Sequence, residues 1–281
     1  MTNLFLRRPL PILIGLPYDA GSSFLRGAAD APAAIRAALH SPAGNHWSER
    51  HGPAVGEGVL DDAGDLTLPD GPESRDVIER EVRLVAASGR SPILLGGDHS
   101  ITYPVLRAIG PLYPRLTLLH IDAHPDLYDV FDGDRHSHAC PCARIMEERL
   151  VAHLTQVGIR ALNGHQREQA ERFGVEIIDM RAWADGARPS VAGPVYVSID
   201  LDGLDPAFAP GVSHREPGGL SVREVLGVLC ALNGPIVGAD IVEFNPSQDW
   251  GGLTAQVAAK LVKELSGLIR RGPAAPLAGL P

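Results

Sequence analysis

Leu116-Thr117-Leu118-Leu119-His120-Ile121-Asp122-Ala123-His124-Pro125-Asp126 begins as an apolar strand and ends in ionisable side chains. An apolar run of strand length fits a strand covered on both faces, as in a parallel sheet. Side chains alternate along an extended chain, and Pro125 pushes His124 towards extended geometry. The spacing therefore predicts Asp122, His124 and Asp126 on one side of a strand end. Two carboxylates held so close repel each other, and one must take up a proton or find a cation. A divalent metal meets that need.

The stretches on either side follow the same pattern. Pro92-Ile-Leu-Leu95 runs into Gly96-Gly97-Asp98-His99-Ser100: a strand, a sharp glycine turn and a helix start, with Ser100 read as the cap of a helix from Ile101. The strand 195–200 runs into Asp200-Leu201-Asp202, which places Ser198, Asp200 and Asp202 on one face. The strand 236–242 ends at Glu243. Further strands are read over 12–15, 59–66, 154–158 and 175–178. Helices are read over 31–40 with Asp30 as cap, 73–88, after Cys142 to about Glu148, over 164–173, after the Ser221/Glu224 capping box, and over 253–269. Residues 41–58 read as a surface loop. Alternating strands and helices predict a single-domain three-layer α/β/α fold with a central, mostly parallel sheet over residues 1–271, and a frayed tail over 272–281. In such sheets ligands bind beyond the carboxyl ends of the strands, where His99, Asp122-Ala-His124-Pro-Asp126, Asp200-Leu-Asp202 and Glu243 all fall.

Composition narrows the function. The formal net charge of −9 argues against nucleic acid or an anionic membrane as partner and fits a cationic small molecule. The loop 18–27 lacks dinucleotide spacing, so no cofactor-binding motif is assigned. Three cysteines in 281 residues make no disulfide framework. Cys140-Pro-Cys142 beside His136 and His138 has the wrong spacing for a zinc site and lacks a second cysteine pair, so buried thiols are expected. Arg7-Arg8 and the following apolar run read as the lead into a first strand rather than a signal peptide, and a cytoplasmic setting is expected.

Two imidazoles and four carboxylates, His99, His124, Asp122, Asp126, Asp200 and Asp202, are too many for one tetrahedral zinc and suit two divalent ions. Oxygen-rich ligation points to manganese, with cobalt, nickel and iron also compatible. Two ions sharing a water lower its pKa, and the chemistry implied is hydrolysis.

Gly96-Gly-Asp-His-Ser100, Asp122-Ala-His-Pro-Asp126 and Ser198-Ile-Asp-Leu-Asp-Gly-Leu-Asp-Pro206, taken in that order, resemble the ureohydrolases, the arginases, agmatinases and their relatives. Ser137-His-Ala, Ala209-Pro-Gly-Val-Ser-His214, Glu216-Pro-Gly-Gly and Val242-Glu-Phe-Asn-Pro246 are most similar to the plant-type arginases. The resemblance implies that His99, Asp122, His124, Asp126, Asp200 and Asp202 hold the metals, and that Asp126 also orients the attacking water. It implies that Glu243 pairs with the guanidinium and that His138 carries a proton to the leaving amine. It further implies a homo-oligomer, a trimer or hexamer.

The far end of the substrate is less determined. Animal-type arginases carry an aspartate for the α-ammonium after the strand matching Val157-Gly-Ile-Arg160; here the nearest match is Asn163. An α-carboxylate would need a partner such as Arg135, His136 or Asn163. Subgroup resemblance points to L-arginine, with agmatine and guanidinobutyrate as alternatives. A single-zinc deacetylase on a related fold, a two-metal phosphoesterase and a non-enzymatic subunit are the competing readings. The six-ligand set with Glu243 argues against the first, the lack of a basic phosphate clamp against the second, and the intact ligand set against the third.

Overall fold

The protein is described by a computed structural model over residues 10–272. Arg7 and Arg8, and the tail expected to fray beyond Gly272, lie outside the described residues. In chain order the strands are β1 (Pro11–Gly15), β2 (Trp47–Ser48), β3 (Gly52–Pro53), β4 (Asp61–Asp65), β5 (Ser91–Leu95), β6 (Thr117–Ile121), β7 (His153–Val157), β8 (Glu176–Ile178), β9 (Val195–Asp200) and β10 (Ile236–Val242). The helices are α1 (Ala31–Leu39), α2 (Glu73–Ala87), α3 (Thr102–Ile109), α4 (Pro141–Glu147), α5 (Gly164–Phe173), α6 (Met180–Ala184), α7 (Val222–Cys230) and α8 (Leu253–Arg271).

All strands except β2 and β3 form one sheet in the order β4-β1-β5-β10-β9-β6-β7-β8, parallel at every pairing. The four strands β5, β6, β9 and β10 are buried along their whole length, as continuous apolar runs require. Alternation divides their side chains between two cores. Leu13, Ile93, Leu95, Leu119, Ile121, Val197 and Ile199 pack against residues of α1, α7 and α8. Leu94, Leu118 and Tyr196 pack with residues of α2, α3 and α4 on the other face. Because β5, β10, β9 and β6 are neighbours in the sheet, the carboxyl ends that carry the ionisable motifs lie side by side.

The turns at those ends differ from the extended geometry expected. β6 stops at Ile121, and Asp122, His124 and Asp126 follow in a turn. His124 N donates to Asp122 Oδ1 at 2.6 Å, and Asp126 takes φ 51°. The same device follows β9, where Asp202 N donates to Asp200 Oδ1 at 2.8 Å, and β5, where Ser100 N donates to Asp98 Oδ1 at 3.0 Å. A short carboxylate that captures the amide two residues on competes successfully with continued extension. Asp98, not Ser100, is thus the cap of the turn His99–Ile101 that leads into α3. The preceding glycine is obligatory, since a Cβ on Gly97 would lie 1.7 Å from Tyr18 O.

Three smaller expectations also change. Asp30 makes no side-chain cap because it already sits in a 3-10 turn, Ala28–Asp30. The 41–58 loop contains the antiparallel β2–β3 pair, and Ser266 on α8 donates to Ala54 O beside it. The short α6, capped by Asp179, was not expected.

Candidate active site

Two ligand clusters form at the adjoining strand ends. In the first, His99 Nδ1 lies 3.1 Å from Asp122 Oδ2, 3.1 Å from Asp126 Oδ2 and 3.2 Å from Asp200 Oδ2. In the second, His124 Nδ1 lies 3.1 Å from Asp202 Oδ2 and 3.5 Å from Asp122 Oδ1. Asp122 belongs to both. All six residues read from the sequence as ligands are therefore brought together.

The donor set fits a cation. Ser198 has one hydroxyl proton and gives it to Asp240 Oδ1 at 2.6 Å, so at 2.9 Å from His99 Nε2 it accepts the imidazole proton. His99 Nδ1 is then the free ring nitrogen, buried, without an aligned hydrogen-bond partner, and facing three carboxylates; Asp122 Oδ2 is likewise unpartnered. Such atoms are stabilised by a metal ion between them or by an added proton. Asp240 is fixed as acceptor by Thr102 Oγ1 at 2.9 Å and Tyr196 Oη at 2.8 Å.

The electrostatics agree. Burial opposes a charge on His99, yet its contacts with Asp122, Asp126 and Asp200 outweigh burial and raise its pKa well above the ordinary value. Burial, with Asp202 and Asp122 as like-charged neighbours, pushes Asp200 well up. Burial and repulsion from Asp122 hold Asp202 at about 6 despite His124. Burial also acts upward on Asp122, but His120, His124 and His99 outweigh it and keep it well below the carboxylate range.

A third group lies beside these. His138 Nδ1 contacts Glu243 Oε1 at 3.0 Å, and His138 Nε2 contacts Ser23 Oγ at 2.8 Å. Glu243 Oε1 also accepts from His99 N at 2.8 Å. Burial disfavours the His138 cation, but Glu243 outweighs it and raises the pKa to about 9; in turn His138 overcomes the effect of burial on Glu243 and lowers it. Glu243 sits at φ 62°, which turns its carboxylate back over the site from the end of β10.

These groups share a cavity of about 470 Å³, whose outer wall includes Tyr128, Phe131, Asn163 and Gln166. Asn163 is on that wall, but its Oδ1 caps α5 through Gln166 N at 2.9 Å and its Nδ2 donates to Tyr128 Oη. Arg135 and His136 are not in the wall. Arg135 is drawn to Asp129 at 2.7 Å and Glu147 at 3.0 Å, and His136 stacks on Tyr103. A larger cleft of about 630 Å³ at Arg115, His153 and Glu176 lies at other ends of the strands and contains none of these clusters.

Sequence reading missed four participants. His120 lies 2.8 Å from Asp122 Oδ2, out of hydrogen-bond alignment, while its Nδ1 is 2.9 Å from Gln156 Nε2. Its position two residues before Asp122 was the available signal. His214 is grouped with His138 and Glu243, and Ser23 reaches His138 from a distant loop that no local spacing connects to it. Asp240 was read only as part of an apolar strand. Cys140 and Cys142 are buried free thiols, as expected.

A model described as the Arginase family matches residues 11–267. The chain is 47% identical over 277 residues to "Arginase 1, mitochondrial" of Arabidopsis thaliana, covering 92% of this chain and 81% of that one. It is 34% identical to an agmatinase of Bacillus anthracis, covering 90% of each. The solved arginase of Medicago truncatula superposes with a TM-score of 0.87 at 41% identity, covering 92% of this chain and 87% of that one. The expected cytoplasmic setting is corrected by this comparison, because the Arabidopsis relative is named for an organelle. Among the described residues no helix is long and apolar enough to cross a membrane.

Proposed function

The chain belongs to the arginase family, and from that premise we propose that it hydrolyses L-arginine to L-ornithine and urea at a two-manganese centre. The carrying observation is the convergence of Asp122, Asp126 and Asp200 on Nδ1 of His99, within 3.1–3.2 Å, beside an anionic Glu243. His99, Asp122, Asp126 and Asp200 would hold one ion, and His124, Asp202 and the shared Asp122 the other. When bound, the ions supply Lewis acidity that makes water nucleophilic near neutral pH.

The protein's own groups do the rest. Glu243 receives the cationic guanidinium and places its carbon over the metal side of the cavity. Asp126 orients the attacking water by accepting a hydrogen bond from it. The reaction adds water across the guanidino carbon–nitrogen bond, so the departing amine must gain a proton. His138, held as a cation between Glu243 and Ser23, is placed to donate it. Asn163 forms part of the wall around the far end of the substrate.

One observation favours agmatine as a second reading. Arg160 is the cavity's only arginine or lysine among the described residues, and its donors are spent on backbone carbonyls, so no free cation awaits an α-carboxylate. Urea release from the manganese-loaded protein, with L-arginine and agmatine run side by side, separates the two. Faster turnover of arginine supports the arginase reading, and faster turnover of agmatine replaces it. A homo-oligomer, trimer or hexamer, is proposed on family resemblance, and native mass measurement decides it.

A further inference from the structure

Arg160 carries a cation that makes no ion pair among the described residues. Its guanidinium is instead surrounded by backbone carbonyls. Nε donates to Glu216 O at 3.0 Å, and Nη1 to Gly158 O at 3.0 Å and Gly203 O at 3.2 Å. Nη2 donates to Asp202 O at 2.6 Å, Leu204 O at 3.2 Å and Glu216 O at 2.5 Å. A guanidinium has five N–H donors in a fixed plane, and these contacts occupy them all. No donor is left over to bind substrate, although the residue borders the cavity.

The carbonyls are not random ones. Asp202, Gly203 and Leu204 form the turn that carries one ligand of the second cluster. The main chain of the same arginine holds the other turn: Arg160 N and Ala161 N donate to Ala123 O at 2.9 and 3.0 Å, between Asp122 and His124. Through Glu216 O it also fixes the residue whose Oε1 lies 3.9 Å from His124 Nε2. Packing around the clamp is tight, since a Cβ on Gly219 would lie 2.6 Å from Arg160 Nη2.

We propose that Arg160 is a positioning residue: it locks the Asp202 turn against the Asp122–His124 turn and so presets the second metal half-site. The role rests on the two-metal reading above. It acts through geometry, so a lysine, with three donors on one flexible point, restores the charge but not the span across five carbonyls.

The test is calorimetric titration of metal-stripped protein with Mn²⁺ for wild type, Arg160→Lys, Arg160→Gln and Gly219→Ala, with circular dichroism melts alongside. Wild type is expected to bind two equivalents. The variants are expected to keep one near its original affinity and weaken the other by about 10–100-fold, the usual effect of losing a partner that orients metal ligands. Should Arg160→Gln fail to fold, Arg160→Lys gives the same reading. Two unaltered affinities in a folded variant overturn the clamp and leave the metal reading intact, as does equal weakening of both ions. A wild type that binds fewer than two ions overturns the metal reading and the clamp with it.

Discussion

His138 Nδ1 and Glu243 Oε1 lie 3.0 Å apart, both buried, and each holds the other in its charged form. Removing the carboxylate with Glu243→Gln leaves burial opposed only by the weaker attraction of Asp126 and Asp98. The His138 pKa, raised to about 9, is then expected to fall in metal-free protein, read by the imidazole chemical shift against pH. A pKa that stays near 9 would show that Glu243 is not the cause. His138→Asn is expected to lower kcat by about 10²–10⁴-fold.

The same pair gives a stability profile. A folded pKa above the unfolded one of about 6.5 means that folding takes up a proton. The contribution of His138 is full below about 6.5 and is lost as pH rises through about 9. Melts of metal-free protein between those values should show a decline that is absent in His138→Asn.

Metal binding should weaken on acidification. Asp202 must be ionised to act as a ligand, and its pKa is held at about 6 by burial and Asp122. Manganese affinity, measured by calorimetry, is expected to fall from pH 8 to pH 5, as protons on His99, Asp200 and Asp202 compete with the metal. At a free ion concentration 100 times Kd the metal should add about 2.7 kcal/mol to unfolding stability, and chelation should remove it. Equal affinity at pH 5 and pH 8 would contradict this assignment of Asp202.

Ser198→Ala deletes the hydroxyl that turns the His99 ring. The ring then loses the acceptor for its Nε2 proton, and Asp240 loses one of three hydroxyl donors. Manganese affinity is expected to drop about 10–100-fold while the variant remains folded. Unchanged affinity would mean that packing alone orients His99.

Asn163→Ala removes both the cap of α5 and the tie to Tyr128. A stability loss of about 0.5–2 kcal/mol by denaturant titration is expected. If the cavity wall reads the far end of the substrate, KM for arginine rises while kcat holds. A wild-type KM would restrict Asn163 to the cap.

The fold was legible because strands β5, β6, β9 and β10 are fully buried and so are written as plain apolar runs, each followed by a polar turn. Their carboxyl-end placement then pointed to all six residues that the structure gathers at the candidate metal site. What sequence periodicity could not supply was the turn chemistry. Asp98, Asp122 and Asp200 each capture the amide two residues on, and this bends the chain out of the strand alternation that was used to align the ligands. Nor could spacing find Ser23, 115 residues from His138, or show that Arg135 would be taken by Asp129 and Glu147. Contacts between remote segments depend on the assembled sheet, and no local pattern encodes them.

Asp126 and Glu243 both hold left-handed backbone, at φ 51° and 62°. Each such residue costs on the order of 1–3 kcal/mol relative to one in a relaxed region. Glycine would relieve that strain at either position and asparagine would tolerate it better, yet both would delete a carboxylate that the site requires. Selection for heat resistance alone should therefore admit replacements at these two positions and yield sturdier proteins that have lost their chemistry. The fold has a ready route to a stable, inactive descendant, and only the demand for turnover keeps it closed.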